Sequence, residues 1–133
     1  MVIDTSAILA ILELEPEAEA FSRAIEAADV RLVSAATVVE AGMVLQARHG
    51  DPGAAKLDLF LEKTAADVVP VTAPHATLAR RAFATYGKGL HPAGLNFGDC
   101  FTYALAKASG QPILFKGEDF ARTDATSVYE PRQ

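Results

Sequence analysis

Met1-Val2-Ile3-Asp4-Thr5-Ser6-Ala7-Ile8-Leu9-Ala10-Ile11-Leu12-Glu13-Leu14 opens the chain, and its reading decides the fold. Three apolar residues meet one carboxylate, then two hydroxyls, then a second apolar run. The pattern predicts a buried strand over residues 1–3, a tight turn, and a helix capped by Ser6 or Thr5. Asp4 then stands at the C-terminal end of an interior strand, the edge of an open α/β sheet where ligands bind. A lone acid in apolar surroundings is costly unless donors or a positive charge meet it. Two uses are open to Asp4: capping the helix, or serving a site.

Outward from this unit, helical and strand-like segments alternate, which predicts a parallel sheet covered by helices. Glu15-Pro16-Glu17 opens a second helix with proline and acids suited to its first turn. Phe21, Ala24, Ile25 and Ala28 follow at helical spacing. Arg31-Leu32-Val33-Ser34 reads as the second strand. Residues 36–45 form an apolar helix whose single charge is Glu40. Asp51-Pro52 caps another helix, with Leu57, Phe60 and Leu61 inward. Val68-Val69-Pro70-Val71 is a short strand, placed at the sheet edge by Pro70. Thr72-Ala73-Pro74 starts a helix with Leu78, Ala82, Phe83 and Tyr86 inward, ended by a Gly87 cap. A loose loop over residues 88–95 follows, of the kind that is functional or mobile. Asn96-Phe97-Gly98-Asp99-Cys100 begins the last long helix. Pro112-Ile113-Leu114-Phe115 is an interior strand that ends beside Glu118 and Asp119, and Ser127-Val128-Tyr129-Glu130 reads as a final strand.

The chain's 133 residues suit one domain over residues 1–133, and half of them are hydrophobic, enough for a core. No apolar run reaches the ~18–20 residues of a membrane span. There is no basic leader, and the single cysteine, Cys100, fits a reducing compartment, so the expected location is cytoplasmic. A net charge of −5 argues against binding nucleic acid by overall charge. It leaves room for a nucleic-acid enzyme whose acids are gathered round cations.

Asp4 and Asp119 follow buried strands, Asp99 starts a buried helix, and Glu40 interrupts an apolar one. Four acids on one edge repel one another unless a cation joins them. An all-oxygen set suits Mg²⁺ or Mn²⁺ rather than zinc, and such an ion is a tool for phosphoryl chemistry. His49, His75 and His91 show no ligand spacing with the cysteine.

These segments carry a family resemblance. Val2-Ile3-Asp4-Thr5-Ser6-Ala7, Thr37-Val38-Val39-Glu40-Ala41, Leu95-Asn96-Phe97-Gly98-Asp99-Cys100 and Leu114-Phe115-Lys116-Gly117-Glu118-Asp119-Phe120 occur in order and at the spacing of the PIN-domain ribonucleases. The chain most resembles the VapC-type toxins of bacterial toxin–antitoxin pairs. The resemblance implies a three-layer α/β/α sandwich with a mainly parallel sheet of about five strands. It implies Mg²⁺- or Mn²⁺-dependent endonucleolytic cleavage of RNA, by metal-activated water, leaving a 5′-phosphate and a 3′-hydroxyl. It also implies a homodimer and a cognate antitoxin that covers the active site. Asp4, Glu40, Asp99 and Asp119 match the family's acids, with Glu118 as the alternative to Asp119. Thr5 or Ser6 would hold acids and metal through their hydroxyls, Asn96 would position Asp99, and Asp124 would be an outer acid. Lys116, Arg122, Lys88 and His91 are candidates to hold the RNA backbone.

Three rival readings fit less well. A haloacid-dehalogenase-type phosphatase needs a second aspartate two residues after the first, where Ser6 stands. A receiver domain needs an acceptor aspartate after a central strand, and Val69-Pro70-Val71-Thr72 supplies none. A non-catalytic PIN-like module that binds RNA or a partner would have no use for a complete acid set.

Overall fold

In the computed structural model, which describes residues 1–129, the elements run in the expected alternation. They are β1 (Val2–Ile3), α1 (Thr5–Leu12), α2 (Ala18–Ala27), β2 (Leu32–Ser34), α3 (Ala35–His49), α4 (Asp51–Thr64), β3 (Asp67–Val69), α5 (Ala73–Tyr86), α6 (Phe97–Ser109) and β4 (Ile113–Leu114). A 3₁₀ turn, Phe120–Arg122, follows. The sheet order is β3-β2-β1-β4 and every pairing is parallel.

The sheet has four strands among the described residues, where the sequence suggested about five. The difference lies at the end of the chain. Ser127 meets Ile113 in a single parallel bridge and no ladder follows; Glu130 lies outside the described residues. β3 is the edge strand, as Pro70 predicted, because proline has no N–H to extend the ladder.

Successive side chains of a strand point to opposite faces, and this divides the core in two. Ile3, Val33 and Leu114 pack with Ala7, Ile8, Phe21, Ile25, Leu45, Leu57 and Phe60 from α1 to α4. Val2 and Ile113 pack with Ala79, Ala82, Leu95, Tyr103, Leu105 and Phe120 on the other side. Helices thus cover both faces of a fully buried β1, which explains why its sequence is apolar without alternation.

Several local expectations are corrected. Asp4, not Thr5 or Ser6, is the cap of α1: its carboxylate accepts from the Ser6 N–H. The second helix begins at Ala18, after the Glu15–Glu17 turn. Gly50 rather than Asp51 occupies the cap position of α4, with Pro52 in the first turn. Phe83 is 42% exposed instead of inward. Gly87 ends α5 in extended conformation, not left-handed. It is glycine because a Cβ there would lie 2.3 Å from the Phe83 carbonyl oxygen. The loop after it is closed at its base, since Lys88 N–H donates to the Leu95 carbonyl and Leu95 N–H to that of Tyr86.

Candidate active site

The site is assembled at the C-terminal edge of β1, where the backbone leaves the sheet and enters α1. Asp4 N–H still donates to the Leu114 carbonyl of β4, while its own carbonyl already accepts from Ala7 and Ile8. The residue is therefore fixed on both sides and only 4% exposed. Its Oδ2 accepts from the Ser6 N–H at 3.1 Å and the Ser6 hydroxyl at 2.7 Å. Its Oδ1 accepts from the hydroxyl of Thr102 at 2.7 Å. All these donors are neutral. Burial pushes the Asp4 carboxyl above the usual carboxylate range, and the hydrogen bonds from Ser6 and Thr102 pull it back only in part.

Asp99 enters from α6. Asn96 caps that helix through a reciprocal pair: Asp99 N–H donates to Asn96 Oδ1 at 2.9 Å, and Asn96 N–H donates to Asp99 Oδ2 at 3.0 Å. Among the described residues Asp99 Oδ1 has no hydrogen-bond donor. Burial raises the Asp99 carboxyl to about 7, against the Asn96 bond and with help from Asp4, Asp119 and Glu40. Three of the side chains that sequence reasoning grouped, Asp4, Asp119 and Glu40, are thus within electrostatic reach of the fourth, Asp99.

Glu40 reaches the group from α3. Thr5 donates to its Oε1 at 2.5 Å. Its carboxylate lies flat against Gly98, where a Cβ would stand 1.9 Å from Oε2. Gly98 is therefore a seat for Glu40, one residue before Asp99. Asp119 stands at the exposed rim, ahead of the 3₁₀ turn, with its side chain making no cap bond. Glu118 instead lines a cleft with Phe21, Phe115 and Tyr129, and it is not among the charges that raise Asp99. Of the two adjacent acids, Asp119 belongs to the group.

Among the described residues none of the four carboxylates has a lysine, arginine or histidine partner. Nor do any three His, Cys, Asp or Glu side chains converge tightly enough to hold an ion between them. The two facts define the character of the site: hard oxygen donors without cationic partners, and no closed ligand cage among the described residues. That fits Mg²⁺ or Mn²⁺, which are bound through one or two carboxylates and keep several waters, better than an ion needing a full protein cage.

The other candidates divide. Thr5, Ser6 and Asn96 hold the acids as expected. Asp124 does not join them. It accepts from Tyr103 at 2.5 Å and Lys107 at 2.6 Å, and the Lys107 bond holds its carboxyl below the usual range. Its work is to fasten the end of the chain to α6. Lys116 is ion-paired to Glu15 and Glu17, which raises its ammonium. Arg122 donates to the Pro92 carbonyl at 3.4 Å, so it stands against the loop that carries Lys88 and His91. Thr102 and Gly98 escaped sequence reasoning. The signal for Thr102 was a hydroxyl three residues after Asp99 in a helix otherwise apolar there; for Gly98, a glycine within a helix start.

A family model described as PIN domain matches residues 1–126. The chain is 56% identical over 131 residues to Ribonuclease VapC30 of Mycobacterium tuberculosis, covering 98% of this chain and all of that one. It is 52% identical to Ribonuclease VapC of Mycolicibacterium smegmatis, covering 97% of this chain and all of that one. The crystal structure of Mycobacterium tuberculosis VapC20, a sarcin–ricin-loop-cleaving toxin, superposes with a TM-score of 0.79 at 20% identity. That match covers 97% of this chain and 98% of the other, and at such identity it speaks for the fold.

Proposed function

The chain belongs to the PIN-domain family, as an endoribonuclease of the VapC toxin type, and from this premise we propose that it cuts RNA with a divalent cation, Mg²⁺ or Mn²⁺, gathered by its acids. RNA is its substrate and an antitoxin its partner. One observation supports the cation: the charges of Asp4, Asp119 and Glu40 all bear on Asp99, whose carboxyl burial already raises to about 7, and none of the four has a cationic partner among the described residues.

Asp4 and Asp99 are the principal ligands, with Glu40 and Asp119 completing the set directly or through water. When bound, the cation supplies Lewis acidity toward a phosphate oxygen and lowers the pKa of water. The chain's own residues hold the geometry. Ser6 and Thr102 orient Asp4, the Asn96 cap orients Asp99, and Thr5 with Gly98 orients Glu40. Asp119 at the exposed rim is the acid nearest the entering strand. Arg122 and Lys88 form a basic border on which the RNA backbone rests, with His91 beside them as a neutral ring whose Nδ1 accepts from the Ala93 N–H, while Lys116 is committed to Glu15 and Glu17. The test is cleavage of RNA by the purified chain with Mg²⁺ or Mn²⁺ and its loss on chelation. Cleavage undiminished by chelator removes the cation from the mechanism.

Gly98→Ala is expected to displace the Glu40 carboxylate, since its Cβ would overlap Oε2. Misplacing a functional group by about 1 Å can cost about a hundredfold, so cleavage should fall ~10–100-fold with little change in melting temperature. Wild-type rates in this variant would show that Glu40 need not sit there.

The homodimer is proposed through the face of α3, α5 and α6. Val39, Met43, Phe83 and Phe97 are exposed on these helices, Phe97 to 80%. Between α5 and α6, Phe83, Phe97 and Phe101 line an open apolar cleft of about 500 Å³. Exposed apolar surface of this kind marks association sites. Phe97→Ser is expected to convert a dimer to monomer in light scattering; an unchanged mass places the contact elsewhere.

A further inference from the structure

Among the described residues Thr102 is the one donor to the Asp4 carboxylate that comes from a distant part of the chain. It lies on α6 three residues after Asp99, and Thr37 lies on α3 three residues before Glu40. Spacings of three place each pair on one helix face. Both hydroxyls are buried, Thr102 completely, and they meet at 3.4 Å behind the acids. An ionised carboxylate can only accept, so the Thr102 proton goes to Asp4 Oδ1, leaving the Thr102 oxygen to accept from Thr37. The chain of donors thus runs from Thr37 through Thr102 to Asp4, and its second link is the short one.

The consequence follows from counting acceptor sites. A carboxylate offers about four. On Asp4, Ser6 takes two at Oδ2 and Thr102 takes one at Oδ1. One remains, on Oδ1. Without the Thr102 hydroxyl the two Ser6 bonds at Oδ2 alone orient the carboxylate, and Oδ1 loses its own donor among the described hydrogen bonds.

We propose that Thr102 is a positioning residue: its hydroxyl fixes the Asp4 carboxylate so that the single remaining acceptor site on Oδ1 stays available to a divalent cation, with Thr37 buttressing it from α3. This rests on the cation reading of the site above. A hydrogen-bonding partner behind a ligand is commonly worth a 10–100-fold change in metal affinity. A merely space-filling threonine would contribute through its methyl group and volume instead.

The two accounts separate in a Mn²⁺ titration of the full chain, with free Mn²⁺ read by electron paramagnetic resonance and folding by circular dichroism. Thr102→Val keeps the shape and loses the hydroxyl; Thr102→Ser keeps the hydroxyl. Thr102→Val is expected to raise the Mn²⁺ Kd at least about tenfold. Thr102→Ser should stay within about threefold of wild type, and Thr37→Val should give a smaller rise in the same direction. Thr102→Ala, which differs from the serine variant by the hydroxyl alone, carries the test if the valine variant does not fold. Hydroxyl-free variants that bind as wild type, or a serine variant as weak as alanine, overturn the proposal. A wild-type chain that binds no Mn²⁺ overturns the cation reading itself, a result distinct from equal binding by all variants.

Discussion

Asp4→Asn is expected to reduce RNA cleavage at least about a hundredfold while leaving the protein folded. A divalent cation supplies several kcal/mol of charge stabilisation to a phosphoryl transition state, and each ~1.4 kcal/mol is tenfold in rate. Asparagine removes the negative charge and keeps an oxygen for the Ser6 N–H, so the cap of α1 survives; asparagine and aspartate cap helices equally well. Its amide nitrogen can donate to the Thr102 oxygen, whose own proton then turns to Thr37. The measurement is single-turnover cleavage of an RNA in Mg²⁺ or Mn²⁺, beside a thermal melt. A variant that cuts at near wild-type rate would remove Asp4 from the chemistry and leave it only the cap.

The second large effect is on stability. Asp99 has its folded pKa raised from 3.8 to about 7, chiefly by burial. In the metal-free protein the folded state therefore binds this proton more tightly than the unfolded state. The contribution of Asp99 to stability is fully present below pH ~4, falls as pH rises between ~4 and ~7, and stays lost above that. Three units would be about 4 kcal/mol at face value; mutual coupling of the acids spreads that among them, so on the order of 2 kcal/mol is expected for Asp99 alone. Asp99→Asn keeps an oxygen for the Asn96 N–H and abolishes the charge. With chelator at pH 8 it should melt roughly 5–10 °C above wild type, and the difference should vanish near pH 4. Added Mg²⁺ or Mn²⁺ should raise the wild-type melting temperature and barely move that of the variant. A variant less stable than wild type at pH 8 would mean that Asp99 is already compensated, and the argument from repulsion would fail.

The order of elements was legible, and three of the four acids that the fold gathers, Asp4, Glu40 and Asp99, each leave a strong local mark. An apolar triplet before Asp4, a solitary charge in an apolar helix at Glu40, and an Asn-x-x-Asp helix start at Asp99 are visible without tertiary knowledge. What was lost depended on contacts between segments. Phe83 has the spacing of a core residue, yet it is exposed beside Phe97, and only packing decides that. Gly98 is defined by a carboxylate 58 positions away in the chain, and Thr102 by one 98 positions away. Asp124 misled because a carboxylate near the others in sequence pattern turned to Tyr103 and Lys107 instead. Expecting Ser6 or Thr5 as the cap went wrong for a similar reason: three good capping residues stand in a row, and the first took the position.

Neither flank of the sheet invites a stranger's backbone. On one side β3 spans three residues and is stopped by Pro70; on the other, two-residue β4 already has Ser127 lying along it. Strand-by-strand stacking of molecules, the usual route to fibrils, has no starting ledge here. A protein that docks on this molecule must be met by side chains of its helices and loops, and so must bring a matching relief of its own rather than a generic extended ribbon.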